Sequence, residues 1–79
     1  MNKICSLMGK RLRDLRESRG WSQEQLAEKS DLDPTYIGGI ERGRRNPSLV
    51  SLAKLAQALK VSLPNLLQVP IDPGDKPKG

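Results

Sequence analysis

The stretch DPTYIGGIERGRR, residues 33–45, concentrates the side chains with the most chemistry to offer. Arg42, Arg44 and Arg45 crowd into four positions, and Asn46 follows. Guanidinium groups packed so closely suit a phosphate polyanion, because each presents a planar fork of N–H donors to phosphate oxygens. The alternative is a solvated loop. The same stretch begins as a good helix, with Asp33 placed to N-cap it and Pro34 at the first helical position. Gly38 and Gly39 then fall in its interior, where each costs roughly 1 kcal/mol relative to alanine. At about 100° per residue, Ile37 and Ile40 define a buried side, and Thr35, Gly38, Gly39 and Arg42 fall on the outward side. Glu41 lies at the edge of the buried side, and Tyr36 flanks it. A face without side chains lets a large body approach the backbone, and the major groove of DNA has the width to admit such a helix. The alternative is that the glycines are surface accidents.

Enzyme chemistry finds no footing. The chain has no His and a single Cys, Cys5, so neither a disulfide nor a Cys pair is available. Cys5 reads as an inert N-terminal residue, with a redox sensor as the alternative. No glycine loop is built to cradle phosphate, and Asp14 with Glu17, or Glu24 with Glu28, read as helix-surface charges. No catalysis, metal, cofactor or small-molecule ligand is expected. Fourteen Lys and Arg against nine Asp and Glu leave +5 on 79 residues, which implies either a polyanionic partner or merely a soluble basic surface. No segment approaches the ~18 apolar residues of a membrane span, and MNKICSLMGK is too short in apolar residues for a signal peptide. A cytoplasmic protein with no membrane partner is expected.

The elements that must position the arginines are all helical. Met8, Leu12 and Leu15 recur at helical spacing over residues 7–19, and Gly20 is a C′ stop. WSQEQLAEKS carries a second helix, with Ser22 as N-cap and Gln25 completing a capping box. Trp21 and Leu26 form a hydrophobic staple across its start; the other reading of Trp21 is a platform for stacking a base. Only Ser30, Asp31 and Leu32 separate this helix from the one that starts at Asp33, a spacing that suits a helix-turn-helix. A fourth helix follows NPS, capped by Ser48 and apolar at 49, 52, 53, 55, 56 and 59. SLPNLL gives a short fifth helix from Ser62, and PIDPGDKPKG, residues 70–79, reads as a flexible C-terminal tail.

The run SQEQLAEKSDLDPTYIGGIERGRRNPSLVSLAKLAQALKVSLPNLL resembles the helix-turn-helix regulators of the lambda repressor and Cro type. TYIGGIERGRRNPSL is similar in particular to the small controller proteins of restriction-modification systems. SQEQLA, YI..IERG and LAKLAQALKVS occur in order and at the family's spacing, and the resemblance covers residues 8–67. It implies an all-α, compact five-helix domain of lambda-repressor type, with residues 22–41 as the helix-turn-helix unit and 34–41 as recognition helix. It also implies double-stranded DNA as partner. Ser22 and Gln23 match positions that touch backbone phosphate, and Ala27 matches the small residue that lets two helices cross closely. Thr35, Tyr36 and Gly39 match positions contacting bases or nearby phosphate; Arg42, Arg44, Arg45 and Asn46 match a loop that grips backbone. Arg16 and Glu41 match an ion pair that ties the first helix to the recognition helix.

The chain departs from that pattern at three positions. Asp31 stands where the turn usually has glycine, and Asp tolerates the left-handed conformation. Pro34 stands where controllers often carry a base-reading arginine, and Gly39 where phage repressors often carry a hydrogen-bonding side chain. Neither can donate to a base edge from its side chain, so shape readout should carry more of the specificity. Tyr36 either packs while its hydroxyl meets phosphate or contacts a base. The family reading implies a homodimer on a palindromic operator that regulates transcription, its own promoter included. The apolar C-terminal residues Val50, Leu63, Leu66, Leu67, Val69 and Ile71 are the expected dimer surface. The alternative for Leu66 and Leu67 is closure of the monomer core. Two other functions stay open: an antitoxin-like module whose main partner is a toxin, and a bridging adaptor that does not read DNA. With both glycines bare and outward, Gly39→Ala is expected to stabilise the protein and weaken DNA binding.

Overall fold

The computed structural model describes residues 3–70, and the apolar spacings resolve into five helices. These are α1 (Lys3–Ser18), α2 (Gln23–Ser30), α3 (Pro34–Glu41), α4 (Leu49–Leu59) and α5 (Leu63–Leu66). No strand occurs among the described residues, so the fold is all-α. Residues 71–79, which include Ile71 and all of the expected tail except Pro70, lie outside them. The first helix starts earlier than its apolar spacing predicts, at Lys3.

Local chemistry sets both ends of the helices. Ser22, Asp33, Ser48 and Ser62 are N-caps whose side-chain oxygens accept from the backbone N–H of Gln25, Thr35, Ser51 and Asn65. At Ser22 the box is reciprocal, because the Gln25 side chain accepts from the Ser22 N–H at 2.8 Å. The first four helices are then stopped by residues in the left-handed region: Gly20, Asp31, Gly43 and Lys60. After each, a backbone N–H reaches five residues back: Trp21 to Arg16, Leu32 to Ala27, Arg44 to Gly39 and Val61 to Ala56. These bonds satisfy carbonyls that a helix end leaves orphaned and turn the chain sharply. Asp31 takes the left-handed conformation with φ 58°, holding the turn between α2 and α3.

The core gathers one stripe from every helix. Leu12, Leu26, Ile37, Ile40, Leu55, Leu59 and Leu66 are fully buried, each worth about 1.5–3 kcal/mol of hydrophobic stabilisation. Trp21 packs against this cluster and has two cations over its ring, with Lys29 Nζ 4.8 Å and the Arg19 guanidinium carbon 5.9 Å from the ring centroid. The Trp21 ring is thereby engaged within the domain. Arg19 also donates to the Leu59 carbonyl at 2.6 Å, closing the end of α4, and Arg11 donates to the backbone and side-chain oxygens of Asn65, tying α1 to α5. Two apolar positions of α4 lie off its buried side. Leu49 is 68% exposed and Ala53 is exposed, because the buried stripe of α4 runs through Ser51, Leu55, Ala56 and Leu59.

Gly9 marks a close helix crossing that sequence reasoning missed. A Cβ there would collide with the Ile40 carbonyl oxygen and stand 2.7 Å from that of Glu41, so α1 rests directly on the backbone at the end of α3. Its only sequence mark is a glycine inside a helical repeat with no turn around it. Both colliding atoms are backbone and cannot swing aside. Gly9→Ala is therefore expected to cost about 2 kcal/mol by overpacking, despite alanine's better helix propensity of roughly 1 kcal/mol. Chemical denaturation checks this; an unchanged or higher midpoint would mean that α1 and α3 are not in close contact there.

Candidate nucleic-acid interface

The short α2–α3 turn sets the start of α2 beside the length of α3, and the Gly43 turn folds the arginine loop back toward the same surface. Gly39's carbonyl accepts both the Arg44 N–H at 2.9 Å and the Arg45 N–H at 3.2 Å. Ser22, Pro34, Thr35, Arg42, Arg44, Arg45 and Asn46 are exposed there, while Gln23 and Tyr36 are half-buried.

Gly38 and Gly39 are not bare. Both are buried, which corrects the expectation that their face stands open. A Cβ at Gly38 would lie 3.1 Å from an Arg42 guanidinium nitrogen and 3.3 Å from the Gln23 side-chain oxygen. A Cβ at Gly39 would lie 2.6 Å from Arg45 Cγ, with Arg45 Cβ and Cδ at 3.6 and 3.7 Å. The wheel placed the glycines on the correct side of the helix. It could not show that Gln23 and Arg45 arrive from outside the helix and, with Arg42, lie down upon them. The glycines are seats for Gln23, Arg42 and Arg45.

The cations themselves are uncommitted. Among the described residues, no ion pair or side-chain hydrogen bond engages Arg42, Arg44 or Arg45. Tyr36 packs its ring against the core, and its hydroxyl oxygen accepts the Ser48 N–H at 3.3 Å. That bond leaves the phenolic proton as a donor.

Beneath this surface lies a buried charge cluster. Arg16 Nε donates to Glu41 Oε2 at 2.7 Å and Arg16 Nη2 to Glu41 Oε1 at 3.0 Å, with the side chains only 11% and 3% exposed. Arg16 Nη1 donates to the Trp21 carbonyl at 2.6 Å, and Gln23 Nε2 to Glu41 Oε1 at 3.1 Å. The hydrogen-bonded Glu41 carboxylate raises the Arg16 pKa above its ordinary value, against the opposing effect of burial. One carboxylate thus joins α1, α2 and α3.

The expected dimer residues fall into two groups. Val50 and Leu67 are 66% and 41% exposed, and Leu49, not foreseen, joins them. Leu63 and Val69 are half-buried against the core, and Leu66 is fully buried. Leu66 is thus corrected to a core residue, since α5 turns it inward to close the α4 side.

The helix-turn-helix family model HTH_3 matches residues 12–66. The chain belongs to this family. This helix-turn-helix chain is 47% identical over 64 residues to the control protein C.SmaI of Serratia marcescens, covering 81% of the chain and 76% of that protein. It is 46% identical over 67 residues to the control protein C.BamHI of Bacillus amyloliquefaciens, covering 84% and 83%. Among solved structures, the restriction-modification controller protein C.AhdI of Aeromonas hydrophila superposes with TM-score 0.77 at 52% identity, covering 78% of this chain and 94% of that one. The protein is a DNA-binding regulator of transcription, and these relatives give no support to an antitoxin-like module. No helix among the described residues is long and apolar enough to cross a membrane.

The buried cluster makes a direct demand on stability. Glu41→Ala leaves Arg16 buried without its partner and is expected to cost about 3–5 kcal/mol in chemical denaturation. Removing both partners should cost less than the sum of the single losses. Small, additive losses would mean that the pair is solvated in solution.

Proposed function

We propose that the protein acts as a controller-type transcriptional regulator, a homodimer that sets one α3 into the major groove at each half of a palindromic operator. The observation that carries this is the surface shared by α2, α3 and the arginine loop. Arg42, Arg44 and Arg45 have no ion-pair or side-chain hydrogen-bond partner among the described residues, and the glycine seats keep two of them laid along α3. Ser22, Gln23, Arg44, Arg45 and Asn46 serve as the phosphate grip. Pro34 and Thr35 face the groove, Arg42 and Arg45 lie beside them over Gly38 and Gly39, and the Tyr36 hydroxyl donates to phosphate. With Pro34 and Gly39 offering no side-chain donor, DNA shape carries much of the specificity. Exposed Leu49 and Val50 on α4 and Leu67 just after α5 support association with a second copy.

Selection of bound sites from a random DNA pool tests the reading. The expected product is an inverted repeat with half-site centres about 34 Å apart, holding two chains. A single asymmetric site, or no enrichment, overturns it.

The seat on Gly39 changes what substitution there should do. An alanine methyl displaces the Arg45 stem, so the gain of roughly 1 kcal/mol in helix propensity is offset and stability moves little. Affinity for the selected operator should fall with Gly39→Ala in the wild-type background, and barely change in an Arg45→Ala background. Arg45→Ala alone should reduce the log–log salt slope by about 0.9 if its contact is to phosphate. Paired melting and titration at several salt concentrations measure all three. Equal affinity losses in the two backgrounds would detach Gly39 from Arg45.

A further inference from the structure

The buried ion pair reaches the proposed DNA surface at one place, Gln23. Glu41 Oε1 accepts two donors, Arg16 Nη2 from within the domain at 3.0 Å and Gln23 Nε2 from the edge of the interface at 3.1 Å. An ionised carboxylate only accepts hydrogen bonds, so the amide of Gln23 has to turn its nitrogen toward Glu41. Its oxygen is then aimed over Gly38, where the Arg42 guanidinium also lies. One N–H of the amide is held by Glu41, and the other remains for a ligand. A free glutamine would sample both amide orientations, and in one of them its oxygen would repel a phosphate. This one is preset.

We propose that Glu41 is a positioning residue for DNA binding. Through the carboxylate oxygen that it shares between Arg16 and Gln23, it holds the Gln23 amide at the start of α2 in the orientation that donates to a backbone phosphate. The role is separate from joining α1 to α3, which needs only the two hydrogen bonds from Arg16. Arg16 in turn holds the carboxylate itself in place, because it occupies both oxygens. The inference rests on the reading of this surface as a DNA interface.

A double-mutant cycle on DNA affinity separates positioning from structural support. Wild type, Glu41→Gln, Gln23→Ala and the double variant are titrated against a mixed-sequence DNA duplex at low salt, below the melting temperature of all four. Gln23→Ala is expected to lose on the order of tenfold in affinity, as befits a hydrogen bond to a charged group. Glu41→Gln should lose a similar factor alone, since its own amide can present nitrogen to nitrogen. It should add less than about twofold in the Gln23→Ala background. Equal losses from Glu41→Gln in both backgrounds overturn the proposal, as does an unchanged affinity for either single variant. Failure of the wild type to bind the duplex is a different outcome: it overturns the DNA interface itself.

A second measurement needs no variant at position 41. In the DNA-free wild type, ¹⁵N relaxation of the Gln23 side-chain amide should give an order parameter near that of rigid backbone, about 0.85. The exposed Gln57 amide supplies the mobile reference. A Gln23 value below about 0.6 means a freely turning amide and overturns the proposal, even if Glu41→Gln does not fold.

Discussion

Glu41 is a charge that folding takes out of water, and the domain is arranged around satisfying it. Moving a carboxylate or guanidinium into the interior costs several kcal/mol per ion even after relaxation. Here that cost is offset by a forked pair of hydrogen bonds from Arg16 and a third from Gln23, while Arg16 spends its remaining reach on the Trp21 carbonyl. Apolar contacts attract without regard to angle. Charged hydrogen bonds demand distance and direction together, so the cluster constrains how the three helices meet. Gly9 allows the approach, because only a residue without Cβ lets α1 settle against the carbonyls at the end of α3.

That constraint explains the glycine pair on α3. Two glycines weaken a short helix through backbone entropy, and α3 has only eight residues. Its stability comes from outside: Ile37 and Ile40 are wholly buried, Asp33 caps its start, and Glu41 anchors its end. Once tertiary contacts hold the helix, the missing side chains create shallow ground on its outer side. The Gly43 turn sends the following loop back across that ground, and the Arg45 stem fills it. The long methylene stems of arginines cover a surface readily while the charged ends stay in water. Cations already laid along the helix have less freedom to lose on binding a polyanion.

A domain of 79 residues buries a modest share of its surface, which makes its helix ends matter. Four serine or aspartate caps and four left-handed stops satisfy groups that a larger protein could bury in other ways. The same small size leaves apolar residues outside. Leu49, Val50 and Leu67 remain exposed because the single core is already filled by one stripe of α4 and by Leu66.

Much was legible from local chemistry. The capping box at Ser22, the stops at Gly20 and Asp31, the short α2–α3 connection and the all-helical class each depend on residues within a few positions of one another. Backbone hydrogen bonding and helical periodicity act at that range. The side of α3 that carries Gly38 and Gly39 was legible for the same reason. What covers that side was not, since Gln23 and Arg45 arrive from fifteen positions before Gly38 and six after Gly39. Nor could periodicity separate Leu66, which faces the core, from Leu67, which does not, because a one-turn helix is too short to define a face. Gly9 carried only the mark of a glycine out of place, and the carbonyls that require it belong to another helix. The sequence by itself determined the helices, the N-caps from Ser22 onward and the cations between them, because those follow from short-range bonding. Only the tertiary structure decided which side chain rests on which glycine and where the shared oxygen of Glu41 points, because those depend on long-range packing that no local pattern encodes.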